Sequence, residues 1–563
     1  MNKKRIAVSV ISIIMIFTTM LSGCGKNISS STAANSESSD TPAVKQEINV
    51  PFTMDPKTLD ISVAGETTAN AVIYETQEGL VRLMNNKIEP AGATNWETSE
   101  DGLTWTFHLR DMKWSDGTKI TAQDYEYEMK RFFDPAVAAG NAPIFYCIVG
   151  GEEFNTGNGG TADGVGVKAL DEKTLQFKLK TPVPYFLQLC NFVNVMPLKK
   201  EVVDKGGAAY GTDPKEMLYS GPFVIDQWIK GSAIVLKKNP NYWDAENVKL
   251  DTVNMLIVPE QSTREQLFDS KQLDIIQDVK GEYAQKLKAA EKGGDVVLQS
   301  GYYPSVSYVA FNNRDKNKIF TNAKVRLAFS LAIDREGYIN NVIKKDMPTY
   351  GFVPYGTNNG DTVFRDKVEE PLKAVKEQDP KKLLEEGLKE LGMDPNKQIE
   401  VTFLQRNTNA DQRVLGEFYQ DQWQKKLGVK VKIDVASDSA TFNTTIGKGE
   451  YQIAQTGWGA DYNDPMTFLE LFLTIQGDTR TNNSIFFSDA EYDRLIKAAA
   501  AEPDMNKRLE LFKQAEKILV VDKAGLAPVS FSYKTNYSQK YVMGALFQAC
   551  GPAFELKTAY IEK

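Results

Sequence analysis

Catalysis and metal binding need particular side chains, and this chain is sparing with several of them. Of its 563 residues one is a histidine, His108, and four are cysteines. His108 lies in "LTWTFHLR" (103–110), where Leu103, Trp105, Phe107 and Leu109 alternate with polar residues. That period of two predicts a strand with His108 on its polar face. Ser-His-Asp and Cys-His mechanisms would have to run through this residue, and an HExxH zinc site needs two histidines. Cys147, Cys190 and Cys550 show no C-x-x-C spacing, which excludes a multi-cysteine zinc site and a disulfide framework. A Cys147–Cys190 bridge and a pair of buried thiols both stay open. The Gly-rich "GGEEFNTGNGGTADGVGV" (150–167) lacks the Gly-Lys-Ser/Thr of a phosphate loop and feeds a hairpin turning at Asp171–Lys173. No catalytic residue, metal set or cofactor is expected.

The stretch with the most chemistry is "QTGWGADYNDP" (455–465), which sets Asp461 three residues after Trp458, itself between Gly457 and Gly459. Three uses compete: a metal loop, a catalytic acid, or a dock for an ammonium group. An EF-hand counted from Asp461 needs glycine sixth and glutamate twelfth, but Met466 and Phe472 stand there. A plainer role is capping a turn or the helix that begins "PMTFLELF", for which Asp464 is a second candidate.

The elements around this loop alternate between strand-like and helix-like patterns, an α/β class. "KITAQDYEYEMKRFFD" (119–134) has Thr121 as cap, Asp124 three residues on, and Tyr125, Met129, Phe132 and Phe133 at helical spacing. "FTNAKVRLAFSLAID" (320–334) caps with Asn322 and carries Val325, Ala328, Phe329 and Ala332 on one stripe, and Asp334 caps a second helix, "DREGYINNVIKK". A helix with Leu415, Phe418, Tyr419, Trp423 and Leu427 passes through Gly428 into a strand over 429–435, half of a βαβ unit. The next strand, "YQIAQTGW", ends at the Asp461 loop. Ligands of open α/β sheets sit beyond the carboxyl ends of strands.

The N-terminus bears on compartment. A basic "MNKKR" precedes an apolar run of about fifteen residues, short of the ~20 that span a bilayer. Leu21-Ser22-Gly23-Cys24 follows and resembles a bacterial lipobox, which predicts a signal peptide over 1–23 and diacylation of Cys24. Residues 24–45 are poor in large apolar groups and predict a flexible tether. Removal of Lys3, Lys4 and Arg5 takes the formal charge from -8 to -11, a poor match for nucleic acid. The expected setting is the extracytoplasmic face of the cell membrane, on a Gram-positive surface.

Four segments together resemble one family. "DGLTWTFHLRDMKWSDGTKITAQDYEYEMKRFFD" (101–134), "GPFVIDQWIKGSAIVLKKNPNYWD" (221–244), "FTNAKVRLAFSLAIDRE" (320–336) and "TGWGADYNDPMTFLELF" (456–472) are similar, in order and spacing, to landmarks of the extracellular solute-binding proteins of ABC importers, in the oligopeptide/dipeptide/nickel-binding family. The resemblance covers 46–563 and implies a two-lobed, periplasmic-binding-protein-like α/β fold of the large type II class with an extra domain and a hinge. It implies domain I over 46–69, 197–304 and 527–563, domain II over 70–196, and domain III over 305–526. It also implies that Asp461 pairs with a peptide's α-ammonium while backbone around Gly457, Trp458, Gly459 and Ala460 pairs with the extended peptide. In relatives a basic residue before the Gly-Trp pair meets the peptide carboxylate. Gln455 stands there in this chain, so Arg413, Lys344 and Lys345, in segments that approach that end, become the candidates. The implied function is a non-enzymatic, monomeric receptor that passes oligopeptides to an ABC permease. The alternatives are a nickel chelate, a sugar oligomer or a signalling peptide as ligand.

Overall fold

The computed structural model describes residues 44–475, 483–548 and 551–562. The chain divides into Met1–Ala43 and a body, Val44–Lys563. The expected signal peptide, the lipid-bearing Cys24 and Cys550 lie outside the described residues. No helix among those residues is long and apolar enough to cross a membrane.

Three larger sheets organise the body. The first has four strands in the order Glu47–Phe52, Thr252–Ile257, Ala233–Lys238, Phe223–Ile229, parallel at the first pairing and antiparallel at the others. The second is antiparallel, in the order Ala93–Thr98, Thr104–Leu109, Thr174–Lys178, Val167–Ala169. Its strand Thr104–Leu109 alternates as its sequence predicts: Trp105, Phe107 and Leu109 are buried, whereas His108 is half-buried, 3.7 Å from Glu97. Phe107 meets Phe177 edge-on at 5.7 Å and Trp105 lies 5.4 Å from Phe186, the tilted arrangements aromatic rings prefer. The helix Ala122–Phe132 carries the expected capping box of Thr121 and Asp124 and turns Tyr125, Met129 and Phe132 inward.

The third sheet runs Ile275–Ile276, Leu526–Gln539, Val296–Phe311, Ile453–Gly459, Glu400–Gln405, Lys430–Val435. Its last two strands are parallel and joined by the helix Ala410–Leu427, which ends at Gly428 in the left-handed region, φ 72°. Only glycine adopts that conformation at little cost. Trp423 anchors the helix, donating from Nε1 to the Phe329 carbonyl at 3.0 Å. Asn322 caps Ala323–Leu331 as expected, and Asp334 caps Arg335–Tyr338. That second helix is shorter than its sequence suggests, giving way to a π turn over Ile339–Ile343 and stopping at Lys344, φ 57°. Ile, Asn and Val, which fill the turn, hold an α-helix weakly.

The two longest strands pair with each other from Val296↔Gln539 to Tyr302↔Tyr533 and again from Val306↔Phe531 to Ala310↔Leu526. Between these runs one strand takes four steps and its partner two. Such an interruption bends and twists a ribbon. Tyr303 and Pro304 fall within this offset, beside the loop that bears Asp461.

Candidate functional site

The strand Ile453–Gly459 is paired unequally on its two edges. One edge is bonded along its whole length, from Phe311↔Ile453 to Ser305↔Gly459. The other meets Glu400–Gln405 only at Phe403↔Ile453 and Leu404↔Ala454. The neighbour ends at Gln405, whose amide donates to the Asn407 carbonyl as the chain turns toward the helix capped by Asn409. Among the described residues no strand covers Gln455–Gly459 on that side. An open edge offers backbone N–H and C=O groups to an extended chain.

Gly457 and Gly459 are exposed on this stretch and Trp458 is half-buried against the core. A Cβ on Gly457 would lie 3.0 Å from the Val306 carbonyl oxygen, a tight approach to which the neighbouring strand would have to yield. A Cβ on Gly459 would meet nothing nearer than Ser305 at 4.0 Å. Gln455 donates from its side chain to the Tyr338 hydroxyl at 2.7 Å.

Past the strand, the Ala460 N–H donates to the Pro304 carbonyl at 2.8 Å and the Asp461 N–H to the Thr467 hydroxyl at 3.2 Å. Asp464 accepts from the Met466 N–H at 2.9 Å, just ahead of the short helix Met466–Leu469. It also holds Arg508 in a buried two-pronged ion pair at 2.6 and 2.8 Å. The Asp461 carboxylate has no hydrogen-bond or ion-pair partner among the described residues. By accessible surface Asp461 is exposed, yet the protein around it removes enough water to push its pKa up to about 6, with desolvation the only cause. Glu470 is pushed up to about 7, first by desolvation and further by Asp461 and Asp464, against the opposing hydrogen bond from Tyr462 at 2.7 Å. Tyr462 stacks on Tyr185 with ring centres 4.8 Å apart and planes 2° from parallel.

Ala460 and Asp461 line a cavity of about 230 Å³ together with Tyr74, Gln188, Asn191 and Tyr303. A larger cavity, about 810 Å³, shares Thr67, Tyr303 and Gly551 with it. Arg264, Lys280 and Lys534 line that larger space, with Asp278 as its one acid. The Lys534 ammonium sits 3.4 Å from the centre of the Tyr303 ring, inside cation–π range. Gly457, Trp458 and Gly459 line neither cavity.

The candidate carboxylate partners sit outside these two cavities, as Gly457, Trp458 and Gly459 do. Arg413 and Lys344 are exposed, and Lys345 is half-buried with its ammonium 3.4 Å from Asp278. None of the three lines either cavity, whose cations are Arg264, Lys280 and Lys534. The sequence carries no mark of Lys534, because a lysine in a polar strand usually faces solvent; only the pairing of Lys534 with Gly301 sets it here. Cys147 and Cys190 are free thiols, and burial raises Cys147 to about 12.

Comparison with known proteins supplies the relatives. Residues 87–480 match the middle portion of the bacterial extracellular solute-binding proteins, family 5. The oligopeptide-binding protein OppA of Bacillus subtilis is 32% identical over 561 residues, 98% of this chain and 99% of its own. Among solved structures, the substrate-binding domain of an oligopeptide ABC transporter from Bacillus anthracis is 32% identical with a TM-score of 0.71, covering 92% of this chain and 99% of that one. Listeria monocytogenes OppA bound to peptide is 29% identical with a TM-score of 0.71, covering 92% and 100%.

Proposed function

We propose a peptide receptor: the chain belongs to the bacterial extracellular solute-binding proteins of family 5, a family of binding proteins and not of enzymes, and its ligand is an extended oligopeptide with a free N-terminus. The observation that carries this reading is the Asp461 carboxylate, unpartnered and raised to about 6, at the end of an open strand edge. A desolvated carboxylate gains most from a cation that brings its own hydrogen bonds. A free N-terminus is such a cation, and it is attached to the backbone that an open edge accepts. The peptide starts at Asp461 and runs back along Gly459, Trp458 and Gly457, and main-chain pairing of this kind leaves side chains unread.

The reading carries a division of the body into parts 46–69/197–304/527–563, 70–196 and 305–526, with closure of the third part on the others as the capture step. In its support, the strands of the first sheet fall in the first part and those of the second sheet in the second. A lipid on Cys24, a tether over 24–45 and an ABC permease that receives the peptide from a monomer complete the proposal. They rest on the Leu-Ser-Gly-Cys sequence and on the occupation of the relatives.

Calorimetric titration of the full chain, freed of carried-over ligand by partial unfolding and refolding, tests the core of this reading. A pool of tri- to pentapeptides should bind, and the same pool N-acetylated should not. Asp461→Ala should weaken binding by about 1.5–3 kcal/mol, the usual worth of a hydrogen bond to a charged group. Equal binding of both pools would remove Asp461 from its role.

A further inference from the structure

Resting on the reading of Asp461 as the ammonium dock, we propose that the smaller cavity beside it receives the first side chain of the peptide and selects a carboxamide, so that the receptor prefers peptides beginning with Gln or Asn. The cavity, about 230 Å³, is walled by amides: Asn70, Asn141, Asn191, Asn194 and Asn463 line it together with Asp461. Three of these amides are engaged within the protein. Asn194 donates to the Ile61 carbonyl at 2.5 Å and accepts from Asn141 at 3.1 Å, and the Asn191 Oδ1 accepts from the Leu83 N–H at 3.0 Å. The other two are not fully engaged. The Asn463 Nδ2 and the Asn70 Oδ1 are buried and have no hydrogen-bond partner among the described residues.

Asn463 is 2% exposed, and its Oδ1 accepts the Asn358 N–H at 2.9 Å, which fixes the amide and leaves the Nδ2 as an unmet donor. Asn70 lies in the helix Thr67–Thr76, where Thr67, Asn70 and Tyr74 share one face and line the cavity, while Ala69, Ala71, Val72 and Ile73 pack into a core. Asparagine holds a helix weakly, and this one returns no side-chain hydrogen bond to the protein. A donor and an acceptor that line one small cavity match a carboxamide, which offers one of each. Water fills polar cavities and meets such groups. A carboxamide replaces that water and both of its bonds, whereas an apolar side chain displaces it and replaces neither. The first side chain is the part of the ligand within reach, because it shares its carbon with the ammonium held at Asp461. The peptide backbone lies elsewhere, since Gly457, Trp458 and Gly459 do not line this cavity. A carboxylate in place of the amide would meet Asn463 but not Asn70, and would set a second negative charge beside Asp461.

The test is titration of the full chain with three peptides, X-Ala-Ala-Ala, where X is Gln, Leu or Glu, each with its N-acetylated control. Gln-first should bind about tenfold tighter than Leu-first, the net worth of one to two neutral hydrogen bonds, and Glu-first should bind more weakly than Gln-first. In Asn70→Leu the acceptor is lost, an apolar wall is gained and no bond internal to the protein is broken, so the Gln/Leu ratio should fall to about one. Asn70→Ala, which deletes the acceptor without filling the space, should lower the ratio in the same direction, and a melting scan checks that both variants are folded. Equal affinity of the Gln and Leu peptides for the unaltered chain overturns the subsite, and so does a Gln preference that survives in Asn70→Leu. Those results leave the ammonium dock standing as long as acetylation abolishes binding. Binding that is indifferent to acetylation removes the dock and the subsite together.

Discussion

Acidification from pH 8 to pH 5 should release a peptide from this protein well before the fold is affected, and the size of the effect follows from one side chain. With no ligand, desolvation holds the Asp461 pKa at about 6, against 3.8 for an ordinary aspartate. An ammonium binds the ionised form, so protonation competes with it and the apparent Kd rises by the factor 1 + 10^(6−pH). Affinity should halve near pH 6 and fall about tenfold by pH 5, since one pKa unit is about 1.4 kcal/mol. An aspartate with an ordinary pKa would lose about 6% of its affinity at pH 5 by the same arithmetic. Above pH ~8 the peptide's own amine deprotonates, so the profile is a bell with its top near pH 7. Glu470, at about 7, is the other titrating group nearby, and Asp464 is neutralised by Arg508.

The assay is calorimetry with Ala-Ala-Ala-Ala, which has no ionising side chain, at half-unit steps from pH 8 to 4.5. The ligand-free protein supplies a check of opposite sign. A carboxyl whose folded pKa is raised binds its proton more tightly folded than unfolded, so its contribution to stability is present at low pH and is lost as pH rises through about 6. Asp461→Asn should therefore raise the stability of the empty protein at pH 7.5 by about 1 kcal/mol, solvent access discounting the full shift, while abolishing the acid limb of binding. A Kd constant between pH 7 and pH 5 would refute the desolvated-acid argument, whatever the peptide.

Asp464→Asn should be severely destabilising, by about 3–5 kcal/mol in a urea titration, because it leaves the fully buried Arg508 without its carboxylate; a shift below about 1 kcal/mol would show the pair to be dispensable. Gly457→Ala should lower the melting temperature, since its Cβ would press on the Val306 carbonyl at 3.0 Å, whereas Gly459→Val should melt near the unaltered protein and weaken peptide binding at least tenfold. Loss of stability in the second variant equal to that in the first would deny the open edge a ligand role. Cys147 and Cys190 should resist a thiol-reactive disulfide reagent in the native protein and react in denaturant, read by peptide mapping, because burial holds both thiols protonated; rapid native labelling of either would contradict their packing.

What the sequence discloses is what is coded locally. The alternation of Leu103 to Leu109, the Thr121–Asp124 box and the stop at Gly428 each specify an element within a few residues, and the structure follows all three. Asp461 was identifiable because its neighbours on both sides form a motif. Lys534, Tyr303 and Glu470 were not, for different reasons. Lys534 and Tyr303 meet only because two distant strands lose register between Tyr302 and Val306, and no window of sequence contains that offset. Glu470 reads as the polar face of a short helix, and its raised pKa depends on a tyrosine folded back from eight residues earlier. Lys344 and Lys345 are candidates by position along the chain alone; the helix that leads to them ends in a left-handed turn, with Lys344 exposed and Lys345 facing Asp278.

Among the described residues two kinds of group at the site have no protein partner: the backbone edge of Gln455–Gly459 and the carboxylate of Asp461. Each is a liability taken separately. An open edge invites pairing with any strand, and a desolvated carboxylate without a partner lowers stability. One ligand relieves both, and the geometry restricts which ligand does so. A strand of a folded protein has backbone for the edge but no free ammonium where the edge ends. A small amine has the charge but nothing to pair with Gly457 and Gly459. A chain terminus brings both, so on the proposed reading the two features together would select peptide ends over peptide interiors.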